Sequence, residues 1–324
     1  MKILFIGGTG IISSACSQRC IERGYTLYLL NRGQSFRPLP EGAIHLKADI
    51  NDAQAVRTIL EKYEFDVIVN WIVFHPDQAE RDISYFSGKC RQYVFISSAS
   101  AYQTPPQRLP VTESTPLNNP FCEYSRNKIA CEELLIKAYR ESGFPVTIVR
   151  PSHTYDKTAV PLLGGYMALA RIQKGKPIII HGDGTSLWVM THHRDFAKGF
   201  VGLLGNPNVI GEAFHITSDE VLCWNQIAAM FASELRTELK IAHVTSDILA
   251  SYSEDWYGSL LGDKTHSMIF DNSKIKSVVP DFKAEIPFHL GVKEIIEWYN
   301  AHSDKQVTDH KTDKLMDEII KKHS

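Results

Sequence analysis

The sequence predicts an α/β chain built on a doubly wound parallel sheet with a smaller C-terminal lobe, and three observations carry that expectation. In the first half, short runs rich in β-branched residues alternate with helical segments, the pattern of βαβ units. The first run empties into Gly7-Gly8-Thr9-Gly10, a tight loop that opens a helix. After Pro151 the texture shifts to shorter units around a Gly182-Asp183-Gly184 turn.

Taken in order, strands are expected over 3–6, 26–30, 43–47, 67–70, 93–96 and 146–149, with helices ending near Gly24, Tyr63, Phe86 and Gly143. The first and last of these helices stop at glycine, which tolerates the left-handed turn that ends a helix. Six strands in this order predict the doubly wound sheet. Beyond it, 167–174 reads as a helix and 178–180 as a strand. The segment 195–204 reads as a helix and 213–216 as a strand that can return to the main sheet, so the lobes interleave. The division expected is a dinucleotide-binding domain over 1–156, rejoined by 195–216, a substrate lobe over 157–194 and 217–302, and a helical tail over 303–324. In that charged tail Leu315, Ile319 and Ile320 recur at helical spacing, which predicts a terminal helix docked on the body.

With 324 residues, 44% of them hydrophobic, the chain can bury a large core, which excludes a disordered or fibrous protein. Its 35 Lys and Arg nearly cancel 37 Asp and Glu, so there is no electrostatic footprint for nucleic acid or an anionic membrane. Met1-Lys2 runs straight into a strand without a signal peptide's apolar region, and no run approaches membrane-spanning length; a cytoplasmic protein is expected. Cys16, Cys20, Cys90, Cys122, Cys131 and Cys223 show no CxxC spacing and no metal-like histidine pairing, so reduced thiols and no metal are expected.

Glycines in the first loop let the backbone turn sharply and approach a pyrophosphate, whose charge then lies on the amino end of the helix opened by Ile11 and Ile12. Gly7, Gly8, Thr9, Gly10, Ile11 and Ile12 are therefore candidates for dinucleotide binding, with a flavin or a methyl donor as the rival ligand. Ser13 stands where a third glycine is usual. Asn31-Arg32 ends the second strand, where an acid would bond a ribose 2′-hydroxyl and an arginine would accommodate a 2′-phosphate. Arg32 permits NADP and Asn31 permits NAD. Asp49 and Ile50, after the third strand, are placed to meet adenine.

The fifth strand ends in Ser97-Ser98-Ala99-Ser100, and Tyr124 and Lys128 follow four residues apart on one helical face. An ammonium beside a phenol favours the phenolate, so Tyr124 can take a hydroxyl proton, while Ser98 can hydrogen-bond the same oxygen.

The succession of Gly7-Gly8-Thr9-Gly10, Ser97-Ser98 with Tyr102, Glu113, Tyr124 with Lys128, Arg150-Pro151 with Tyr155, and Gly182-Asp183-Gly184 resembles the extended short-chain dehydrogenase/reductase family, in its NAD-dependent epimerase/dehydratase branch. The resemblance covers roughly residues 1–300 and implies the Rossmann fold. It implies Ser98, Tyr124 and Lys128 as catalytic trio, Lys128 also holding the nicotinamide ribose of one tightly bound NAD(P). It further implies Trp71, Ile96, Pro151 and His153 beside the cofactor, and Phe74, Ser100, His153, Trp188 and Lys264 beside the substrate. Family members commonly pair as homodimers through the segments that are 78–86 and 124–139 here.

Departures narrow the chemistry. Dehydratases of the family carry an Asp-Glu pair where this chain has Ala99-Ser100, so elimination is not expected. Trp188, and Ser259, Leu260 or Leu261, stand where the family's diphosphate-clamping arginines are usual, and His153 replaces a substrate-facing asparagine. Lys264, His266, Arg171 and Arg194 are candidate substitutes for the anion site, and the bulky run from Trp71 to His75 is expected to narrow the crevice. The expected activity is epimerisation at a sugar or nucleotide-sugar hydroxyl by transient oxidation to a ketone. One alternative is an NADP-linked reductase or dehydrogenase. Another is a non-catalytic RNA-binding protein, because Asn31-Arg32-Gly33 and Phe95-Ile96-Ser97-Ser98 also resemble plastid stem-loop-binding relatives.

Overall fold

Continuous apolar runs form the centre of the sheet: Ile3 to Ile6 and Val67 to Val69 are all sealed from water, as strands covered on both faces require. The computed structural model describes residues 1–306 and 309–323; residues 307, 308 and 324 of the expected tail lie outside the described residues. The first half runs β1 (Lys2–Ile6), α1 (Ile11–Glu22), β2 (Thr26–Asn31), β3 (Ile44–Lys47), α2 (Ala53–Lys62), β4 (Val67–Asn70), α3 (Pro76–Phe86), β5 (Gln92–Ile96), α4 (Glu123–Ser142) and β6 (Val146–Pro151). Then follow β7 (Thr154–Tyr155), α5 (Tyr166–Gln173), β8 (Ile178–His181), β9 (Leu187–Trp188), β10 (Thr191–His192), α6 (His193–Leu203) and β11 (Ala213–Ile216). The remainder is β12 (Leu222–Cys223), α7 (Trp224–Glu234), β13 (Ile241–Val244), α8 (Ser246–Ala250), α9 (Glu254–Ser259), α10 (Ser273–Val278), α11 (Phe288–Ala301) and α12 (His310–His323).

Seven strands pair in the order β11-β6-β5-β4-β1-β2-β3, all parallel. The chain leaves β1 toward β2 on one side and later returns to β4 on the other, and this reversal opens a crevice at the strands' carboxyl ends. Helices α1 and α6 cover one face through Cys16, Cys20, Phe196 and Phe200. On the other face Val56, Ala79, Phe86, Cys131 and Leu135 from α2, α3 and α4 seal the core. Local chemistry sets the helix ends. Asp52 caps α2 by accepting from the Gln54 and Ala55 N–H groups, and Gly143 ends α4 at φ 70°.

The second lobe has its own core around Trp188, Trp224, Phe231 and Phe288. Docking of α12 buries Met316 and Ile319, and Arg171 on α5 forks onto Asp313 and Asp317. Among the described residues no helix is long and apolar enough to cross a membrane.

Candidate active site

At the end of β1 the backbone turns through Gly7 and Gly8 at φ 98° and 89°, a region that favours glycine. A Cβ on Gly8 would lie 2.6 Å from Leu29 Cδ2. Ser13 replaces the usual third glycine usefully, since its hydroxyl accepts the Gly10 N–H at 2.7 Å and fixes the start of α1. Asn31 braces the loop from β2, donating to the Gly7 carbonyl at 3.0 Å and accepting from Gly33 N–H at 2.9 Å. Beside the loop a cavity of about 540 Å³ is lined by Gly7, Thr9, Asn31, Arg32, Asp49, Ile50, Ile72 and Arg81 among others. A small-residue cradle at a helix amino end, opening on a cleft with Arg32 and Asp49 at its far side, fits a dinucleotide's pyrophosphate and adenosine. Arg32 is 65% exposed and only 3.9 Å from Asp49 at its nearest approach, so its guanidinium is available to a ligand. Gly8→Ala is expected to cost about 1–3 kcal/mol by overpacking and to lower dinucleotide occupancy. Thermal melts with mass spectrometry of the released dinucleotide check this, and wild-type values for both would contradict it.

Trp71 corrects the sequence reading. It was expected at the cofactor, but its indole turns into the core, 5.4 Å from the Phe5 ring and 4.8 Å from Phe200. Ile72 instead lines the dinucleotide cleft, while Phe74, partly exposed, lies beside the Tyr124 ring. Asp49 does not cap α2; that place belongs to Asp52.

Ser98, Ser100, Tyr124 and Lys128 meet where β5 and α4 converge. Arg150 on β6 grips Glu132 through Nε at 2.9 Å and Nη2 at 2.5 Å, and Ser97 donates to the same carboxylate. Glu132 follows Lys128 by one helical turn, so this buried pin sets the position of the helix face that carries Tyr124 and Lys128. Ser98 and Ser100 hydroxyls lie 2.9 Å apart, and Ser125 donates to Ser100 at 2.8 Å. The Tyr124 side chain opens to the cavity, 43% exposed, with its ring 6.4 Å from that of Phe74.

Lys128 is 2% exposed, and its Nζ donates to the Val73 and Ile96 carbonyls at 2.5 and 2.7 Å. Burial pulls it down to about 8, so it stays mainly charged at neutral pH. Its Nζ is 5.5 Å from the Tyr124 ring centroid. Without a bound dinucleotide, desolvation pushes the Tyr124 phenol up from 10, opposed by the Ser98 hydroxyl and reinforced by Cys122 and Asp263.

In front of Ser98 and Tyr124 lies a cavity of about 800 Å³, also lined by Ser100, Pro151, Ser152, His153, Trp188, Tyr257 and Asp263. His153 and Trp188 are walls: the His153 ring meets Trp188 and Trp224 edge-on at 5.9 and 6.3 Å, and burial pulls its pKa down to about 3, keeping it neutral. Lys264, expected at the substrate, lines a smaller neighbouring cavity of about 260 Å³ behind His153 and Ser259. The other anion-site candidates are elsewhere too, with Arg171 engaged by Asp313 and Asp317 and Arg194 by Glu294. His266 is not among the residues lining the cavity in front of Ser98 and Tyr124. Ser152, Glu254, Asp255 and Asp263 also line this cavity and were not expected there from the sequence. Asp263 sits in a π-helical turn, Leu260–Lys264, of the kind that often marks a functional site. Among the described residues no group of three or more His, Cys, Asp or Glu could hold a metal ion.

The model of the NAD dependent epimerase/dehydratase family matches residues 3–217. The chain is 25% identical over 240 residues to the chloroplast stem-loop binding protein of 41 kDa b of Arabidopsis thaliana, covering 70% of this chain and 61% of that relative's length. It is 23% identical over 289 residues to the 2'-dehydrokanamycin reductase of Streptomyces kanamyceticus, covering 87% and 80% respectively. The solved UDP-glucuronic acid 4-epimerase from Bacillus cereus superposes with a TM-score of 0.75 at 18% identity, covering 93% of this chain and 99% of that one, and so shares the fold.

Proposed function

The chain belongs to the NAD dependent epimerase/dehydratase family, a family of NAD-dependent enzymes, and from that premise we propose that it epimerises a carbohydrate hydroxyl by transient oxidation to a ketone. The observation that carries this reading is that Ser98 and Tyr124 line one cavity, with Lys128 buried beside Tyr124, and that the neighbouring positions Ala99 and Ser100 offer no acid pair to expel water. A bound nicotinamide ring supplies the chemistry of accepting a hydride from the carbinol carbon and giving it back.

The protein's own residues manage the proton and the geometry. Tyr124 takes the hydroxyl proton as the carbon–oxygen bond becomes a carbonyl, and returns it when the carbinol reforms. Ser98 donates to the substrate oxygen and holds it in line with the phenol. Because burial favours the neutral phenol, Tyr124 needs a nearby positive charge to act as a base, and oxidised nicotinamide carries one. Lys128, fixed by two carbonyls, holds a cation at the floor of the site. Apolar Ile72 in the dinucleotide cleft and Phe74 beside the Tyr124 ring exclude water there.

A second reading, an NADP-linked reductase, is favoured by the available guanidinium of Arg32 and by the likeness to the Streptomyces reductase. Denaturing freshly purified protein and weighing the released dinucleotide separates the two. Near-stoichiometric NAD or NADP is expected for internal recycling, whereas an empty protein that consumes added NADPH one-for-one with substrate would replace epimerisation by reduction.

A further inference from the structure

The cavity in front of Ser98 and Tyr124 is acidic: Glu123, Glu254, Asp255 and Asp263 line it against one cationic side chain, Arg126. Arg126 is committed at the rim, where its Nη1 donates to the Pro120 carbonyl at 2.8 Å. Three of the carboxylates have an ordinary structural use. Glu123 lies in the first turn of α4, and Glu254 and Asp255 in the first turn of α9, where negative charge complements the helix dipole. Asp263 also falls in a first turn, that of the five-residue π segment Leu260–Lys264, and is set apart instead by its lack of a partner. It is partly buried in the wall of the cavity, desolvation raises its carboxyl to about 6, and among the described residues no hydrogen bond or ion pair engages it. Lys264 eases its ionisation from the neighbouring cavity without lining this one. A desolvated carboxylate without a partner is costly unless a ligand supplies the donor. Phe121, Tyr257 and Phe270 in the same lining offer flat apolar faces to a carbohydrate ring.

We propose that this cavity takes an amino-bearing carbohydrate, an amino sugar or aminocyclitol that is cationic at neutral pH, with Asp263 receiving an ammonium group beside the reacting hydroxyl. Glu254 and Asp255 draw the cation to the mouth. A sugar nucleotide is disfavoured, because its diphosphate would be brought among four carboxylates with only Arg126 in the lining to meet it. The inference rests on the reading that Ser98 and Tyr124 address a substrate hydroxyl, and adds to it the substrate's charge.

The test is calorimetric titration of Tyr124→Phe protein saturated with NAD, in which turnover is blocked. The probes are the amino pseudodisaccharide neamine, its fully N-acetylated neutral form, and UDP-glucose. Neamine is expected to bind about tenfold to a hundredfold more tightly than the acetylated form, the worth of a charge-assisted hydrogen bond, and more tightly than UDP-glucose. Adding Asp263→Asn is expected to erase most of that difference, while Glu254→Gln with Asp255→Asn produces a smaller loss that disappears in high salt. Equal binding of neamine and its acetylated form, or tighter binding of UDP-glucose, overturns the proposal. Tight UDP-glucose binding together with its turnover by the wild type would leave the epimerase reading standing while this inference fails. Asp263-dependent neamine binding by a protein that oxidises no carbohydrate would do the reverse.

Discussion

Tyr124→Phe is expected to lower kcat by about 10²- to 10⁴-fold, the usual worth of a positioned proton-transfer group, while the dinucleotide released on denaturation stays at the wild-type amount. The phenyl ring keeps the contacts with Phe74 and Lys128, so only the hydroxyl is lost. Ser98→Ala is expected to have a smaller effect, because the Ser100 hydroxyl lies 2.9 Å from the Ser98 hydroxyl and is held in place by Ser125. Steady-state kinetics on any substrate identified for the wild type would measure both. Undiminished turnover by the Tyr124 variant would remove the phenol from the mechanism, and with it the proposed reaction.

Stability is expected to fall steeply as pH drops from about 6.5 towards 4. Burial pulls His153 down to about 3, His181 to about 4 and His193 to about 4, so all three stay mainly neutral in the folded protein down to about pH 5. In the unfolded chain each takes a proton near pH 6.5. A base whose folded pKa is depressed contributes stability that is complete above the unfolded value and is lost as pH falls through the window between the two. Asp263 works in the opposite direction, since its carboxyl, raised to about 6, takes its proton earlier in the folded protein than in the unfolded chain. Taken by themselves, these three histidines against Asp263 give the unfolded state roughly two more protons near pH 5, a slope of about 3 kcal/mol per pH unit; burial shifts His192, His215 and His266 in the same direction as the three and Asp82 in the direction of Asp263. Melting curves between pH 7 and 4 check this. A melting temperature that holds steady or rises between pH 6.5 and 5 would show that the histidines are solvated in solution.

Much of the fold is legible from periodicity and punctuation alone. Parallel strands covered on both faces read as unbroken apolar runs such as Ile3 to Ile6, and glycine marks the C-terminal stop of α4, so the observed strand limits differ from the expected ones by only one or two residues. The loop Gly7-Gly8-Thr9-Gly10 and the pair Tyr124 and Lys128 are legible for the same reason: their geometry is set within one turn of chain, where spacing translates directly into position. Side-chain direction is a different matter. Trp71 belongs to the core because Phe5 and Phe200 arrive beside it from β1 and α6, and nothing near it in sequence announces them. Lys264 and Asp263 are adjacent in the chain yet face different cavities, because the π turn rotates successive residues to opposite sides of the wall formed by His153 and Ser259. The sequence by itself determined the sheet, the glycine cradle and the Ser98, Tyr124 and Lys128 set, all consequences of local geometry. Only the tertiary structure decided the charge of the substrate cavity and the protonation of its buried groups, because both depend on which distant side chains share a volume from which water is largely excluded.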